Sequence, residues 1–413
     1  MLRLDASLLR ESRDFRSLWL SGIITGLGSF ATYVAVPYHV AEITGSYVAV
    51  GIIGIAEIIP LVIFGLYGGV IADRHDRRKV NIITEIAMLI VVGALFVNAL
   101  SDQPHLSVIY VAVILFAAID GIQRPSLDAM LPRIVPPERL AAAGVLRSLR
   151  GNIAHVLGPA LGGLLIAIGG VRTAFAFDIA SFAASAALLS RIRKLPPTRE
   201  STDKAHLEIF EAFRYLRTRR DIIGTYLADT AAMVFAFPFA LFPFIAREYD
   251  AEWALGFLYT AVAIGSLVAT ATSGWTKHVT RHGRAVLFAA FTWGIAIAAS
   301  GLVHNIWWVI AFLVLAGAAD MVSGLFRSLI WDLTIPDEMR GRMAGLELLS
   351  YSIGPQAGQV RSTLTARYTS LQTSLIAGGV LCAGTTAGFT AALRSLWNFD
   401  SAGSTARIAL PDT

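Results

Sequence analysis

Runs of apolar residues, each long enough to cross a lipid bilayer, follow one another along almost the whole chain. A hydrocarbon core about 30 Å thick requires roughly 20 residues of helix at 1.5 Å per residue. Segment 47–71 exceeds that length, and Glu57 is its only formal charge. The chain is 55% hydrophobic and only 15% charged, whereas soluble domains are about 25% charged. The sequence therefore predicts an integral membrane protein.

Charged, glycine-rich or proline-rich breaks divide these runs into twelve predicted transmembrane helices. Their approximate limits are 17–43, 47–72, 80–100, 106–130, 141–168, 171–190, 222–246, 253–275, 284–303, 306–331, 344–366 and 371–393. The first run is too long for the core of a signal peptide, so we expect it to be retained as the first span.

Basic residues are concentrated in alternate loops, which predicts that both termini are cytoplasmic. The outer loops then contain only Arg172, Arg247 and Arg367. The inner loops contain Arg74, Arg77, Arg78, Lys79, Arg133, Arg139, Lys277, Arg281, Arg284, Arg340 and Arg342. This asymmetry accounts for the net charge of +5 without a nucleic-acid partner.

A polar segment near the middle of the chain separates two sets of six predicted spans. We expect a bundle over 1–190, a cytoplasmic linker over 191–221, and a second bundle over 222–413 with a short cytoplasmic tail. Apolar residues at helical spacing predict an amphipathic linker helix: Leu207, Phe210, Phe213 and Leu216. This helix is either a plain linker at the membrane surface or a regulatory element.

The two halves repeat one another at matched positions. Asp120 and Asp320 differ by 200 in number, and GPALG at 158–162 recurs as GPQAG at 354–358. Two related six-helix bundles can rock around a central site, which is the physical basis of alternating access.

The charged loop after the second span carries a family resemblance. Segment 69–78, GVIADRHDRR, resembles the signature G-x-x-x-D-R-x-G-R-[KR] of the major facilitator superfamily. Asp76 stands where the family has glycine, and the matching residues are Gly69, Asp73, Arg74, Arg77 and Arg78. The resemblance implies a cytoplasmic gate in which Asp73 meets the eleventh span and Arg77 meets Asp128. The alternative is a topological anchor, which basic residues alone provide.

A second motif points to export. Segment 154–163, AHVLGPALGG, resembles the fifth-span signature of proton-coupled drug exporters. With segments 131–144 and 174–182, it makes the chain most similar to the enterobactin-exporter-like and macrolide-efflux-like branch. The small residues and proline of this motif also favour close helix packing and a kink: Gly158, Pro159, Gly162 and Gly163.

Ionisable residues inside membrane spans are costly and commonly functional. Asp120, Arg124 and Asp128 are spaced at i, i+4 and i+8, so they share one helix face. Asp120 and its repeat partner Asp320 are the preferred candidates for carrying protons, because desolvation favours a neutral carboxyl. The alternative is structural ion pairing of Asp120 with Arg124 and of Asp320 with Arg327.

Further polar residues are candidates for lining a wet cavity. His155 titrates near neutrality or is a neutral packed ring. Arg150 attracts an anionic substrate or extends to the inner interface. The remaining candidates rank below Asp120: Glu57, Asp178 and Asp229.

The seventh span combines prolines and phenylalanines. Pro238 and Pro243 predict a broken helix that moves as a gate. At helical spacing, Phe235, Phe239 and Phe242 share one face and form a candidate apolar substrate wall.

Several motifs are absent from the sequence. It contains no phosphate-binding G-x-x-x-x-G-K-[ST], no H-E-x-x-H, no G-x-S-x-G and no Cys/His metal cluster. We therefore expect no enzyme activity, metal or cofactor, and a proton gradient as the energy source. The prediction is a monomeric exporter of siderophore-like or drug-like amphipathic molecules in the bacterial cytoplasmic membrane. The alternatives are a lipid or lysolipid flippase and a membrane sensor without transport.

Overall fold

The computed structural model describes residues 7–196 and 214–401, and all regular structure in these ranges is helical. Ten segments within them are long and apolar enough to span a membrane. The predicted all-α integral membrane fold is therefore confirmed. Contacts group the described residues into two units: 7–196 with Glu252–Thr260, and the remainder.

The helices of the first unit follow the predicted spans. They are α1 (Ser7–Glu11), α2 (Arg13–Thr44), α3 (Tyr47–Arg74), α4 (Arg77–Leu100), α5 (Leu106–Ile134) and α6 (Leu140–Leu189). Helix α6 is interrupted at Gly169 and Gly170, so it consists of two arms over 140–168 and 171–189. Gly170 has φ of 71°, a conformation that residues with a Cβ rarely adopt. The interruption coincides with the predicted boundary between the fifth and sixth spans.

Small residues bring α2 and α6 close together in the first unit. A Cβ on Gly158 would lie 2.5 Å from the Phe30 Cβ, and one on Gly162 would lie 2.8 Å from the Ala31 Cα. These glycines therefore serve helix packing here. Pro159 lies inside the first arm of α6, and the interruption of this helix falls ten residues after it.

The second unit also consists of helices joined by short turns. They are α7 (Arg220–Ala236), α8 (Phe242–Glu248), α9 (Leu255–Ala271), α10 (His282–Ser300), α11 (Ile306–Thr334), α12 (Asp337–Tyr368), α13 (Leu371–Ala392) and α14 (Arg394–Trp397). Residues 255–260 of α9 group with the first unit. Helix α12 is 32 residues long, which suffices to span a bilayer, but it is more polar than the ten segments above. Helix α10 packs against α11 and α13, and α7 packs against α12.

The predicted seventh span is broken at its first proline. Helix α7 ends at Ala236, and Phe237 is extended (φ −87°, ψ 112°) because a following proline disfavours the helical conformation. A 3₁₀ turn over Phe239–Leu241 leads into α8, where Pro243 occupies the first turn, a position that tolerates proline.

The predicted phenylalanine wall is wrong in its geometry. Phe235 belongs to α7 and Phe239 to the 3₁₀ turn, so they do not lie on one continuous helical face. Phe242 is completely buried, and its ring contacts that of Phe239 with centroids 5.0 Å apart. The spacing argument fails because it assumed an unbroken helix.

Most of the predicted amphipathic linker helix lies outside the described residues, including Leu207, Phe210 and Phe213. Leu216 belongs to a helical stretch over 214–218. Next to it, the Tyr215 hydroxyl donates a hydrogen bond to the Thr334 carbonyl at the end of α11 (3.0 Å). The end of the linker is thus attached to the second unit.

Candidate functional site

Glu85 on α4 lies buried inside the first unit and is held by neutral donors. It is 3% exposed. Its Oε2 accepts a hydrogen bond from the Thr25 hydroxyl on α2 (3.2 Å), and its Oε1 accepts one from the Gln123 amide on α5 (3.0 Å). The carboxyl group therefore joins three helices.

A second acid, Asp178, is completely buried on the second arm of α6. Its Oδ2 accepts from the Thr32 hydroxyl of α2 (2.6 Å), and its Oδ1 accepts from the Ser181 hydroxyl one turn further along α6 (2.9 Å). Gly28 on α2 faces this group, and a Cβ there would collide with the Ser181 hydroxyl and the Asp178 carboxyl. Glycine at position 28 thus makes room for the buried acid.

Glu85 and Asp178 interact electrostatically, since their charges lie within reach of one another. Among residues 7–196 and 214–401, neither acid has a Lys, Arg or His at ion-pair distance. Ser185, fully buried one turn after Ser181, faces Glu85, and its hydroxyl can donate to the Glu85 carboxylate. We call these residues the α4–α6 acid cluster: Thr25, Thr32, Glu85, Gln123, Asp178, Ser181 and Ser185.

The preferred candidate from the sequence, Asp120, has a different environment. Its Oδ2 lies 2.7 Å from the Arg124 Nε, and the two side chains are 25% and 52% exposed. The structure therefore has the ion pair that was the alternative for this residue.

The second unit has a buried ion pair between α7 and α11. Asp229 and Arg327 are joined at 2.6 Å, with side chains 6% and 13% exposed. The alternative pairing of Asp320 with Arg327 is therefore wrong, because Asp229 on the neighbouring helix supplies the closer oxygen. Asp320 is half-buried and stays within electrostatic reach of both residues.

The charged loop between α3 and α4 supplies the N-cap of α4. Asp76 is its N-cap, with φ of −62°, and its side chain accepts from the backbone N–H groups of Arg78 (2.9 Å) and Lys79 (3.3 Å). The family's glycine is thus replaced here by a capping residue that needs no left-handed conformation. Gly69 and Asp73 lie within α3, but the Asp73 side chain falls outside the described part of the chain.

The basic residues of the loop reach backbone carbonyls. Arg77 is buried, and its guanidinium donates to the Ala129 carbonyl on α5 (3.1 Å). Arg78 donates to the carbonyls of Leu189 (3.3 Å) and Ser190 at the end of α6. Arg74 is exposed. These bonds tie the loop to the ends of two other helices of the first unit.

The acid expected opposite Arg77 has another partner. Asp128 pairs with Arg147 on α6 (2.6 Å), and both side chains are about half exposed. Arg150 lies one turn further along α6, and its guanidinium reaches the Leu18 carbonyl on α2 at 3.5 Å. Together with Phe15 and Trp19, these residues line a narrow cleft between α2, α5 and α6.

The remaining predicted residues lie apart from the acid cluster. The exposed His155 ring contacts the Phe30 ring, with centroids 4.5 Å apart. Glu57 is half-buried on α3 and interacts electrostatically with Tyr33. The described part of the chain has no group of three or more His, Cys, Asp or Glu side chains that could hold a metal ion.

The sequence reasoning did not identify Glu85 or Arg361. Glu85 is an acid inside an apolar span, which is itself a signal. Arg361 lies inside α12, where its Nε donates to the Val234 carbonyl (3.3 Å) and its Nη1 to the Ser374 carbonyl (3.1 Å). Pro238, four residues after Val234, lacks the N–H that would bond this carbonyl in a continuous helix. Arg361 therefore replaces the hydrogen bond lost at the break.

Comparison with known proteins gives concordant results. The family described as transmembrane secretion effectors matches residues 7–411. The chain is 29% identical over 350 residues to the enterobactin exporters EntS of Shigella boydii serotype 18 and Escherichia coli O1:K1, covering 83% of each chain. A solved bacterial homologue of the human lysosomal transporter Spinster, inward-facing and unoccupied, superimposes with a TM-score of 0.74 at 15% identity. This match covers 93% of the present chain and 96% of that one.

The family match extends over nearly the whole chain, and the structural likeness shows the same fold. The protein therefore belongs to the transmembrane secretion effector family, a group of membrane exporters within the major facilitator superfamily.

Proposed function

We propose that this protein exports siderophore-like amphipathic molecules across the bacterial cytoplasmic membrane in exchange for protons. The relatives named as enterobactin exporters support this substrate class, since the similarity covers 83% of each chain. Two related helical bundles would alternate between inward and outward access, with both termini in the cytoplasm.

The main support for proton exchange is the pair of buried acids within the α4–α6 acid cluster. Glu85 and Asp178 lie in apolar helices and accept hydrogen bonds only from neutral side chains among the described residues. A buried carboxylate without a cation is costly, so such a group gains or loses protons as its surroundings change. A transporter uses this property to couple two fluxes.

The test is transport by the purified full-length protein in liposomes. Vesicles contain a catecholate siderophore, a macrolide or a lysolipid, and a pH gradient is imposed with and without a protonophore. We expect siderophore efflux to accelerate with the gradient and to lose this acceleration with the protonophore. An equal electrical potential without a pH difference controls for voltage.

Two results would refute the proposal. If siderophore efflux is insensitive to the pH gradient, efflux is not coupled to proton exchange. Movement of lysolipid, with no movement of siderophore or macrolide, favours the flippase alternative.

A further inference from the structure

We infer that Glu85, together with Asp178, forms the proton-binding site of the first unit, and that Ser185 accepts the hydrogen bond of the bound proton. The inference rests on the proposed proton exchange and deepens it by assigning the residues. It replaces Asp120 as the preferred proton carrier.

The hydrogen bonds around Glu85 leave a defined place for a proton. Thr25 and Gln123 each donate to one carboxylate oxygen. The fully buried Ser185 hydroxyl faces the same carboxyl and can donate a hydrogen bond to its charged form. When Glu85 takes up a proton, its O–H becomes a donor and the Ser185 oxygen becomes its acceptor. Ser185 thus changes from donor to acceptor when Glu85 binds the proton.

Asp178 is the second buried acid of the cluster. Its two oxygens are occupied by Thr32 and Ser181, so it has good donors for its charged form. Asp178 thus adds a second buried carboxyl, held by hydroxyl donors, beside Glu85.

The charges on the surrounding helices do not neutralise this pair. On α5, Asp120 and Arg124 bind each other, and Asp128 binds Arg147 of α6. Helix α2 contributes the hydroxyls of Thr25 and Thr32, and its charged residues lie near its two ends. The other ionisable groups on the helices of this unit include Glu57, Asp73 and Arg74 on α3, Arg77, Arg78 and Lys79 at the start of α4, Arg133 near the end of α5, and Arg150, His155 and Arg172 on α6.

The test is infrared difference spectroscopy of the full-length protein in lipid nanodiscs, stepped from mildly alkaline to mildly acidic pH. This measurement records the carbonyl stretch of protonated carboxylic acids, while exposed aspartates, with pKa values of about 3.9, stay ionised. We expect a band in the wild type that Glu85→Gln removes. Asp102→Asn, in the exposed turn before α5, is the matched control and should leave the band unchanged.

Ser185→Ala gives a second variant that keeps both acids. Loss of the acceptor should shift the frequency of the Glu85 band, and an unchanged band in Ser185→Ala overturns the inference even if Glu85→Gln does not fold. A band that survives Glu85→Gln, disappears in Asp120→Asn, or responds to sodium and not to pH also overturns it.

Transport by the same variants separates this inference from the proposed function. Glu85→Gln should lose the acceleration by a pH gradient while still equilibrating substrate down its own gradient. If wild-type transport does not respond to the pH gradient but the Glu85 band is present, the proposed proton exchange is refuted and the assignment of Glu85 as a proton-binding residue is retained. If transport by the wild type and by Glu85→Gln responds equally to the pH gradient, the assignment of Glu85 is refuted and the proposed proton exchange is retained.

Discussion

Arg361 offers a quantitative test of how the break between α7 and α8 is stabilised. The Val234 carbonyl would bond the N–H of residue 238 in a continuous helix, and proline has no N–H to give. Arg361 Nε supplies the donor at 3.3 Å, and its Nη1 bonds the Ser374 carbonyl of α13 at 3.1 Å. We therefore predict that Arg361→Met destabilises the protein and that Pro238→Ala partly reverses this loss.

The size of the effect follows from these two bonds. Hydrogen bonds to charged groups contribute roughly 1.5–3 kcal/mol in soluble proteins. Bonds between membrane helices average about 0.6 kcal/mol, with a maximum near 1.7. Both bonds are longer than the optimum of about 2.9 Å, which favours the lower scale. We expect Arg361→Met to lower the free energy of unfolding by about 1–2 kcal/mol.

Pro238→Ala restores a backbone N–H four residues after Val234 and removes the constraint that keeps Phe237 extended. In the Arg361→Met background, Pro238→Ala should restore the part of the unfolding free energy that comes from the hydrogen bond to the Val234 carbonyl, about 0.5–1 kcal/mol. The free energy of unfolding of the double variant is then higher than the value expected from adding the effects of the two single substitutions. The assay is equilibrium unfolding in mixed micelles of increasing sodium dodecyl sulfate content, followed by the fluorescence of the eight tryptophans.

A double-mutant cycle decides the outcome. Additivity of Arg361→Met and Pro238→Ala within about 0.3 kcal/mol would refute the explanation, because the two residues would then not share the Val234 carbonyl. Pro159→Ala is the matched control, since Pro159 also lies within a helical segment but belongs to the first unit. Its combination with Arg361→Met should be additive.

Three further predictions concern other contacts. Gly378→Ala should destabilise the protein, because the new Cβ would lie 2.5 Å from the Arg361 guanidinium; unfolding measurements check this, and unchanged stability contradicts it. Asp76→Ala should lower the free energy of unfolding by about 1 kcal/mol through loss of the N-cap, whereas Asp76→Asn should retain most of it. Arg327→Met should cost about 3–5 kcal/mol by leaving the Asp229 charge buried. Adding Asp229→Asn should recover much of that loss, and equal stability of the single and double variants would contradict the buried-charge explanation.

The helices and their interruptions could be predicted from local sequence. The length of an apolar run determines whether it can span a bilayer, and this property needs no knowledge of neighbours. Gly169 and Gly170 interrupt α6 at the predicted boundary, and Pro238 ends the helical conformation at the residue before it. The phenylalanine wall failed for the same local reason, since a break changes the direction of every side chain that follows it.

Short-range ion pairing was also accessible from spacing. Asp120 and Arg124 are four residues apart on one helix, and the structure joins them at 2.7 Å. Spacing alone does not decide between this ion pair and the preferred proton-carrying role of Asp120, because it does not reveal whether the pair is solvated. That property depends on what covers the helix face.

The partners of the buried polar groups were decided by the tertiary structure alone. Glu85 bonds a residue 38 positions away, Asp178 one 146 positions away, and Arg361 one 127 positions away. A membrane helix that is apolar on all sides has no hydrophobic period to indicate which face turns inward. The rotation of each helix about its axis is set by the packing of small residues against neighbouring helices. That rotation, and not the presence of an acid in a span, determines which carboxyl is buried without a cation.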